Sequence, residues 1–212
     1  MKSVYLYGAN CTKTVWDELQ QILDNPDTLT IEYPHEITEK AESVSDITQW
    51  VYDTYGNDLN CDCFIGHSMG GIIALELVTK FGISCEKLIL IESNLKPVEK
   101  FYRNLMTPGN MAIHGKQIIP MIKAEAPFYS DKLKQSLQND FDFTGYVHSS
   151  TIEIHGIFGD RGEENYKDRI SDLNLGKDTE NNINFHFIKN ACHMPMVENP
   201  EALAKVIQDI CQ

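Results

Sequence analysis

The stretch Cys63-Phe64-Ile65-Gly66-His67-Ser68-Met69-Gly70-Gly71-Ile72-Ile73-Ala74-Leu75-Glu76-Leu77 passes from an apolar run, through a glycine-rich turn, into apolar residues at helical spacing. Its opening reads as the end of a buried strand, and the residues from Gly70 onward as a helix. One hydroxyl, Ser68, stands at the crest of the turn, inside the pattern G-x-S-x-G made by Gly66 and Gly70. A serine is a poor nucleophile until a base takes its proton, so a turn that lifts the hydroxyl clear of a sheet has a chemical use. Such a turn crowds strand against helix, and residues without Cβ relieve the crowding. The helix behind Ser68 also brings the partial positive charge of its N-terminus to the place where an anion would develop. G-x-S-x-G alone recurs in glycine-rich loops; the strand before it and the helix after it give this instance its meaning.

Outward from this turn, strand and helix patterns alternate. Strands are predicted at 3–7, 29–33, 62–65, 87–91, 152–158 and 183–188. Helices are predicted at 14–23, 43–55, 70–81 and 200–211, with stripes such as Trp16, Leu19, Ile22 and Leu23, or Val44, Ile47, Val51 and Tyr55. Lys87-Leu88-Ile89-Leu90-Ile91 is too uniformly apolar to have a wet face. The alternation predicts an α/β protein with a mostly parallel sheet of about six strands, flanked by helices on both faces. It fails once, between the fourth and fifth strands, where helical patterns occupy 98–106, 110–126 and 131–141. A core of 1–94 and 151–212 with a helical cap inserted at 95–150 is the expected organisation.

Composition narrows the function. The chain has 212 residues, 18 Lys and Arg against 31 Asp and Glu, and a net charge of −13. That balance repels phosphate backbones and argues against nucleic acid as a partner. No apolar run approaches the roughly 20 residues of a membrane span, and the N-terminus lacks the apolar length of a signal segment. The cysteines at 11, 61, 63, 85, 192 and 211 match no zinc-ligand spacing, so no metal is expected. They read as free thiols, which suits a reducing cytoplasm.

A nucleophilic serine needs a histidine. In a site of this type the base comes last in the chain, after the final strand. Of the histidines at 35, 67, 114, 148, 155, 186 and 193, His193 meets that condition, in Asn190-Ala191-Cys192-His193-Met194-Pro195-Met196 before the terminal helix. His186 lies within the final strand.

Together, Gly66-His67-Ser68-Met69-Gly70-Gly71, the segment from Ala191 to Glu201, and Tyr7-Gly8-Ala9-Asn10 followed by Trp16 resemble the α/β-hydrolase superfamily, specifically its cap-bearing esterase-like members. The resemblance covers nearly the whole chain. It implies an oxyanion hole made by the backbone N–H groups of Ala9 and Met69, and no cofactor. Two departures stand out. The antiparallel hairpin common before the first parallel strand is missing, and the usual His-Gly oxyanion turn is Tyr7-Gly8.

The resemblance also calls for a carboxylate to orient the imidazole. Relatives usually place it in a G-x-x-D turn after the fifth strand, but Phe158-Gly159-Asp160-Arg161-Gly162-Glu163 carries Gly162 at that position. Asp160 is two places early and Glu163 one late. A second solution in the superfamily puts the acid after the preceding strand, where Glu92 ends an otherwise apolar run. A carboxylate there is expensive unless paired. Glu92 is preferred, with Asp160 and Glu163 as alternatives.

The cap residues Phe101, Tyr102, Leu105, Met106, Met111, Ile118, Ile119, Met121, Ile122, Phe128 and Tyr129 mostly dock the cap, and some should line an apolar pocket. Arg103 is the only arginine within 95–150, so no phosphate clamp is visible. The expected function is a serine hydrolase, a carboxylesterase on small to medium uncharged esters. The rivals are a lyase, C–C hydrolase or acyltransferase with the same triad, and a non-catalytic ligand-binding member of the fold. Oligomeric state stays open.

Overall fold

The computed structural model describes residues 1–138 and 141–212. Its strands are β1 (Ser3–Leu6), β2 (Thr28–Thr30), β3 (Cys63–His67), β4 (Lys87–Ile91), β5 (Glu153–Gly159) and β6 (Asn184–Ile188). They form a six-stranded sheet in the order β2-β1-β3-β4-β5-β6, and every adjacent pair is parallel. The chain runs outward from β1 to β2, then returns past β1 to β3. This reversal makes the crevice beyond the carboxyl ends of β1 and β3 the topological switch point, where ligands bind in open α/β sheets. Gly8 and Ser68 both follow those two ends.

The helices of the first half are α1 (Asp17–Leu23), α2 (His35–Thr38), α3 (Val44–Tyr55) and α4 (Met69–Phe81). Right-handed crossovers place the connections before and after the reversal on opposite faces of the sheet. Accordingly α3 packs on α4, while α1 packs on α11 (Pro200–Ile210), the terminal helix. Buried Val44, Ile47 and Val51 of α3 face α4, which is buried at every residue from Met69 to Leu77. Most of this run is apolar, and its one charged residue, Glu76, is hydrogen-bonded by Ser45, Lys80 and Tyr146.

Between β4 and β5 stand α5 (Lys100–Arg103), α6 (Pro108–Glu125), α7 (Asp131–Ser136) and α8 (Thr144–Ser149). The helix predicted over 98–106 shrinks to one turn. The next begins two residues before the predicted 110, because the Thr107 hydroxyl caps it by accepting from Asn110 N at 3.3 Å, and Pro108 at the first position has no N–H to satisfy. The helix predicted over 131–141 ends at Ser136; its residues 139 and 140 lie outside the described part. α8 had no sequence counterpart. The helix predicted over 14–23 is a 3-10 turn, Lys13–Trp16, followed by α1. The β-branched Thr14 and Val15 are weak α-helix formers, consistent with the tighter start. Beyond β5, α9 (Lys177–Glu180) precedes β6, and α10 (Pro195–Glu198) lies between β6 and α11.

Candidate active site

The turn between β3 and α4 carries Ser68 at φ 51° and ψ −119°, a conformation in which a side chain is strained. It is held there from both sides. Ser68 N donates to Ile91 O of β4 at 2.9 Å. Gly70 lies so close to β1 that a Cβ on it would sit 2.1 Å from Leu6 O, so the turn closes on the sheet only with glycine at that position.

His193 sits in the loop between β6 and α10, with its Nε2 3.2 Å from Ser68 Oγ. Its backbone is fixed from three directions. His193 N donates to Leu105 O at 3.2 Å, and the buried Glu198 carboxylate accepts from the flanking Cys192 N at 2.7 Å and Met194 N at 3.0 Å. His67 Nε2 lies 2.8 Å from His193 O, which makes that nitrogen the donor. Burial first, then the neighbouring His193, push His67 down to about 3, so it stays neutral and keeps this donor role.

Glu92, at the carboxyl end of β4, is fully buried. Its Oε2 lies 3.3 Å from His193 Nδ1, slightly long for a hydrogen bond. Three stronger donors reach the same carboxylate: Gly159 N at 2.6 Å and Arg161 Nη1 at 2.8 Å to Oε1, and Arg161 Nη2 at 2.7 Å to Oε2. Burial pushes the Glu92 carboxyl up, but the Arg161 charge, the Arg161 hydrogen bonds and His193 together outweigh it and hold it at about 2.

The two alternative acids lie differently. Asp160 is buried, but its Oδ1 accepts from Gly162 N at 2.8 Å and Asn190 N at 2.7 Å, tying the turn after β5 to the loop after β6. No hydrogen bond joins it to His193 among the described residues. Glu163 is exposed. Gly162, at the usual acid position, has φ 80°, a conformation that glycine adopts without strain.

Gly8 presses on the turn: a Cβ there would lie 2.8 Å from both Ser68 Cβ and His67 Nδ1. This close approach puts the following backbone beside the hydroxyl. Among the described residues, neither Ala9 N nor Met69 N donates within the chain. Both N–H groups are therefore free to donate to a developing oxyanion. No group of three or more His, Cys, Asp or Glu side chains among the described residues could hold a metal ion. No helix among them is long and apolar enough to cross a membrane. A cleft of about 940 Å³ opens on the Arg161 side of the site, lined by Phe101, Arg103, Asn104, Thr107, Arg161 and Tyr166 among others.

Three residues here escaped the sequence reading: Arg161, His67 and Glu198. Arg161 had the only available signal, a cation beside the irregular G-x-x-D turn. The roles of His67 and Glu198 lie in hydrogen bonds to the backbone around His193, which no local pattern announces.

No protein-family model matches the chain, and no curated protein matches it significantly in sequence. Solved structures match it in three dimensions. A lipase-esterase related protein from Clostridium acetobutylicum ATCC 824 aligns with a TM-score of 0.67 and 14% identity, over 98% of this chain and 93% of that one. Est816, an N-acyl homoserine lactone degrading enzyme, gives 0.74 and 12%, over 99% and 92%. Naproxen esterase from Bacillus subtilis gives 0.64 and 15%, over 100% and 83%. At such identities the likeness is one of fold, and the chain has the α/β-hydrolase fold.

Proposed function

We propose that the protein is a serine hydrolase, a carboxylesterase acting on small to medium uncharged esters. The observation that carries this reading is the continuous chain Ser68 Oγ to His193 Nε2 at 3.2 Å and His193 Nδ1 to Glu92 Oε2 at 3.3 Å. His193 takes the Ser68 proton as Oγ attacks the ester carbonyl. The tetrahedral oxyanion is met by Ala9 N–H and Met69 N–H. Collapse expels the alcohol, protonated by His193, and leaves an acyl-serine. Water, deprotonated by His193, attacks that ester, and the acid departs as the proton returns to Ser68. Glu92 holds the imidazole in the tautomer with hydrogen on Nδ1 and stabilises the imidazolium.

Residues 95–150 serve in this reading as a cap, consistent with Leu105 O reaching His193 N. The esterases among the structural neighbours support the reaction class, and the six free thiols support a reducing cytoplasm. Ser68→Ala and His193→Ala are each expected to cost about 10⁶ in kcat, since triad members act as a unit. A fluorophosphonate should label the protein rapidly, and Ser68→Ala should abolish the label. A folded protein that never labels, or a Ser68→Ala variant that still turns over a p-nitrophenyl ester panel, would overturn the reading.

A further inference from the structure

We propose that Arg161 is a positioning residue for the triad acid: its fork grips both oxygens of Glu92 and so sets where Oε2 meets His193. This rests on the triad reading above and extends it.

The first observation is the grip. Arg161 Nη1 and Nη2 reach Oε1 and Oε2 in parallel at 2.8 and 2.7 Å, the bidentate pairing that only a guanidinium makes. The fork is itself held. Nη1 also donates to Gly159 O at 2.7 Å, and the guanidinium carbon stands 4.5 Å over the Tyr102 ring and 5.6 Å from the Phe101 ring. A glutamate has one more rotatable bond than an aspartate, so its carboxylate is harder to aim. A fixed fork removes that freedom.

The second observation is strain. Seven non-glycine residues among those described have positive φ. Four are Asn or Asp, types that tolerate this region. The other three are Ser68 at 51°, Glu92 at 49° and Arg161 at 54°. Backbone strain outside the tolerant types is thus confined to the nucleophile, the acid and the arginine. Strain of this kind persists where the surroundings over-determine it, and it clusters at functional sites.

The third observation is burial. The side chains of Arg161 and Glu92 are 2% and 0% exposed. A buried ion pair is a weak source of stability, because an apolar pair of similar volume often serves as well or better. Stability alone therefore does not account for the pair. The side-chain groups in contact with the Glu92 carboxylate are the Arg161 guanidinium from the loop after β5 and the His193 imidazole from the loop after β6. The titratable groups His67 of β3, Tyr102 of α5 and Glu198 of α10 act on it or feel it from further off. Arg161 is the strongest of these in drawing the carboxyl downward.

The consequence has a definite sign. Without Arg161, burial acts on Glu92 against only the Gly159 N–H and His193, and the carboxyl moves up. A protonated Glu92 has lost the charge that stabilises the imidazolium. Activity should then fail from the acid side, and the acid limb of the kcat/KM profile should move to higher pH.

Arg161→Gly is the sharpest test, because φ 54° suits glycine and the change leaves a guanidinium-sized hole. With p-nitrophenyl acetate, kcat should fall about 100-fold, short of the ~10⁴ of a wrong imidazole tautomer, with KM little changed. The acid limb should shift upward, and guanidinium chloride well below denaturing concentration should restore rate where equal sodium or ammonium chloride does not. In a Glu92→Gln background the same change should cost little more, because the two residues act through one contact. Arg161→Lys keeps the charge and loses the fork. It should lower kcat with a smaller shift of the acid limb. A folded Arg161→Gly or Arg161→Lys with the wild-type profile would overturn the proposal, as would an equal loss in both backgrounds. Near-full activity in Glu92→Gln alone would instead remove the acid assignment beneath it.

Discussion

Two buried carboxylates stand one strand apart at the carboxyl edge of the sheet. Glu92 follows β4, Asp160 follows β5, and both are nearly inaccessible. Their partners differ in kind. Asp160 Oδ1 meets two backbone amides, Gly162 N and Asn190 N. Glu92 meets one amide, one arginine and one histidine. Burial demands partners for each, but the neighbouring loops decide which partners are offered. An acid surrounded by amides is a loop anchor. An acid that shares an oxygen with an imidazole can act on chemistry.

Exchange of charge for neutrality at the two positions is the strongest way to break this contrast. Glu92→Gln should lower kcat by about 10⁴, since an amide can hold the wrong imidazole tautomer. The contrast would collapse if Asp160→Asn were the inactive variant and Glu92→Gln the active one.

The pH dependence of stability sharpens it. The Glu92 carboxyl is lowered in the fold from 4.5 to about 2. A depressed carboxyl contributes stability that is fully present above the unfolded value and is lost as pH falls toward the folded one. Glu92 should therefore contribute about 3 kcal/mol near neutrality that disappears between about pH 4.5 and pH 2. Urea unfolding across that window should show a shallower acid loss in Glu92→Gln than in the parent. Equal slopes would mean that the ion pair leaves no mark on proton linkage.

The smallest effect should come from Asp160→Asn. The amide keeps an oxygen that can accept from Gly162 N and Asn190 N, so stability should fall by only about 1 kcal/mol and kcat should change less than a few-fold. Thermal melts and ester kinetics on the same preparation would check both. A loss comparable to that of Glu92→Gln would give Asp160 more than an anchoring part.

Legibility followed the range of the interactions. Strand order in the chain, the parallel sheet and the elbow were readable because apolar periodicity and the glycines around Ser68 are local signals. His193 was singled out by its place after the last strand, and its Nε2 lies 3.2 Å from Ser68 Oγ. Glu92 could be picked out because an acid ending Leu88-Ile89-Leu90-Ile91 contradicts its surroundings, and Gly162 leaves the usual position vacant. The segment between β4 and β5 was read least well. Three of its four helices, α5, α7 and α8, have six residues or fewer, and their limits depend on packing against the core; the long α6 was read to within two residues at each end.

The amino-acid sequence by itself determined the α/β alternation, the strained turn at Ser68 and the candidates for base and acid, because each is written within a few neighbouring residues. Only the tertiary structure decided which acid faces His193. Glu92, Arg161 and His193 come from the ends of three strands, and nothing local in any one of them specifies the others. Their meeting is a product of parallel register between β4, β5 and β6, which carries residues distant in the chain to one edge of the sheet.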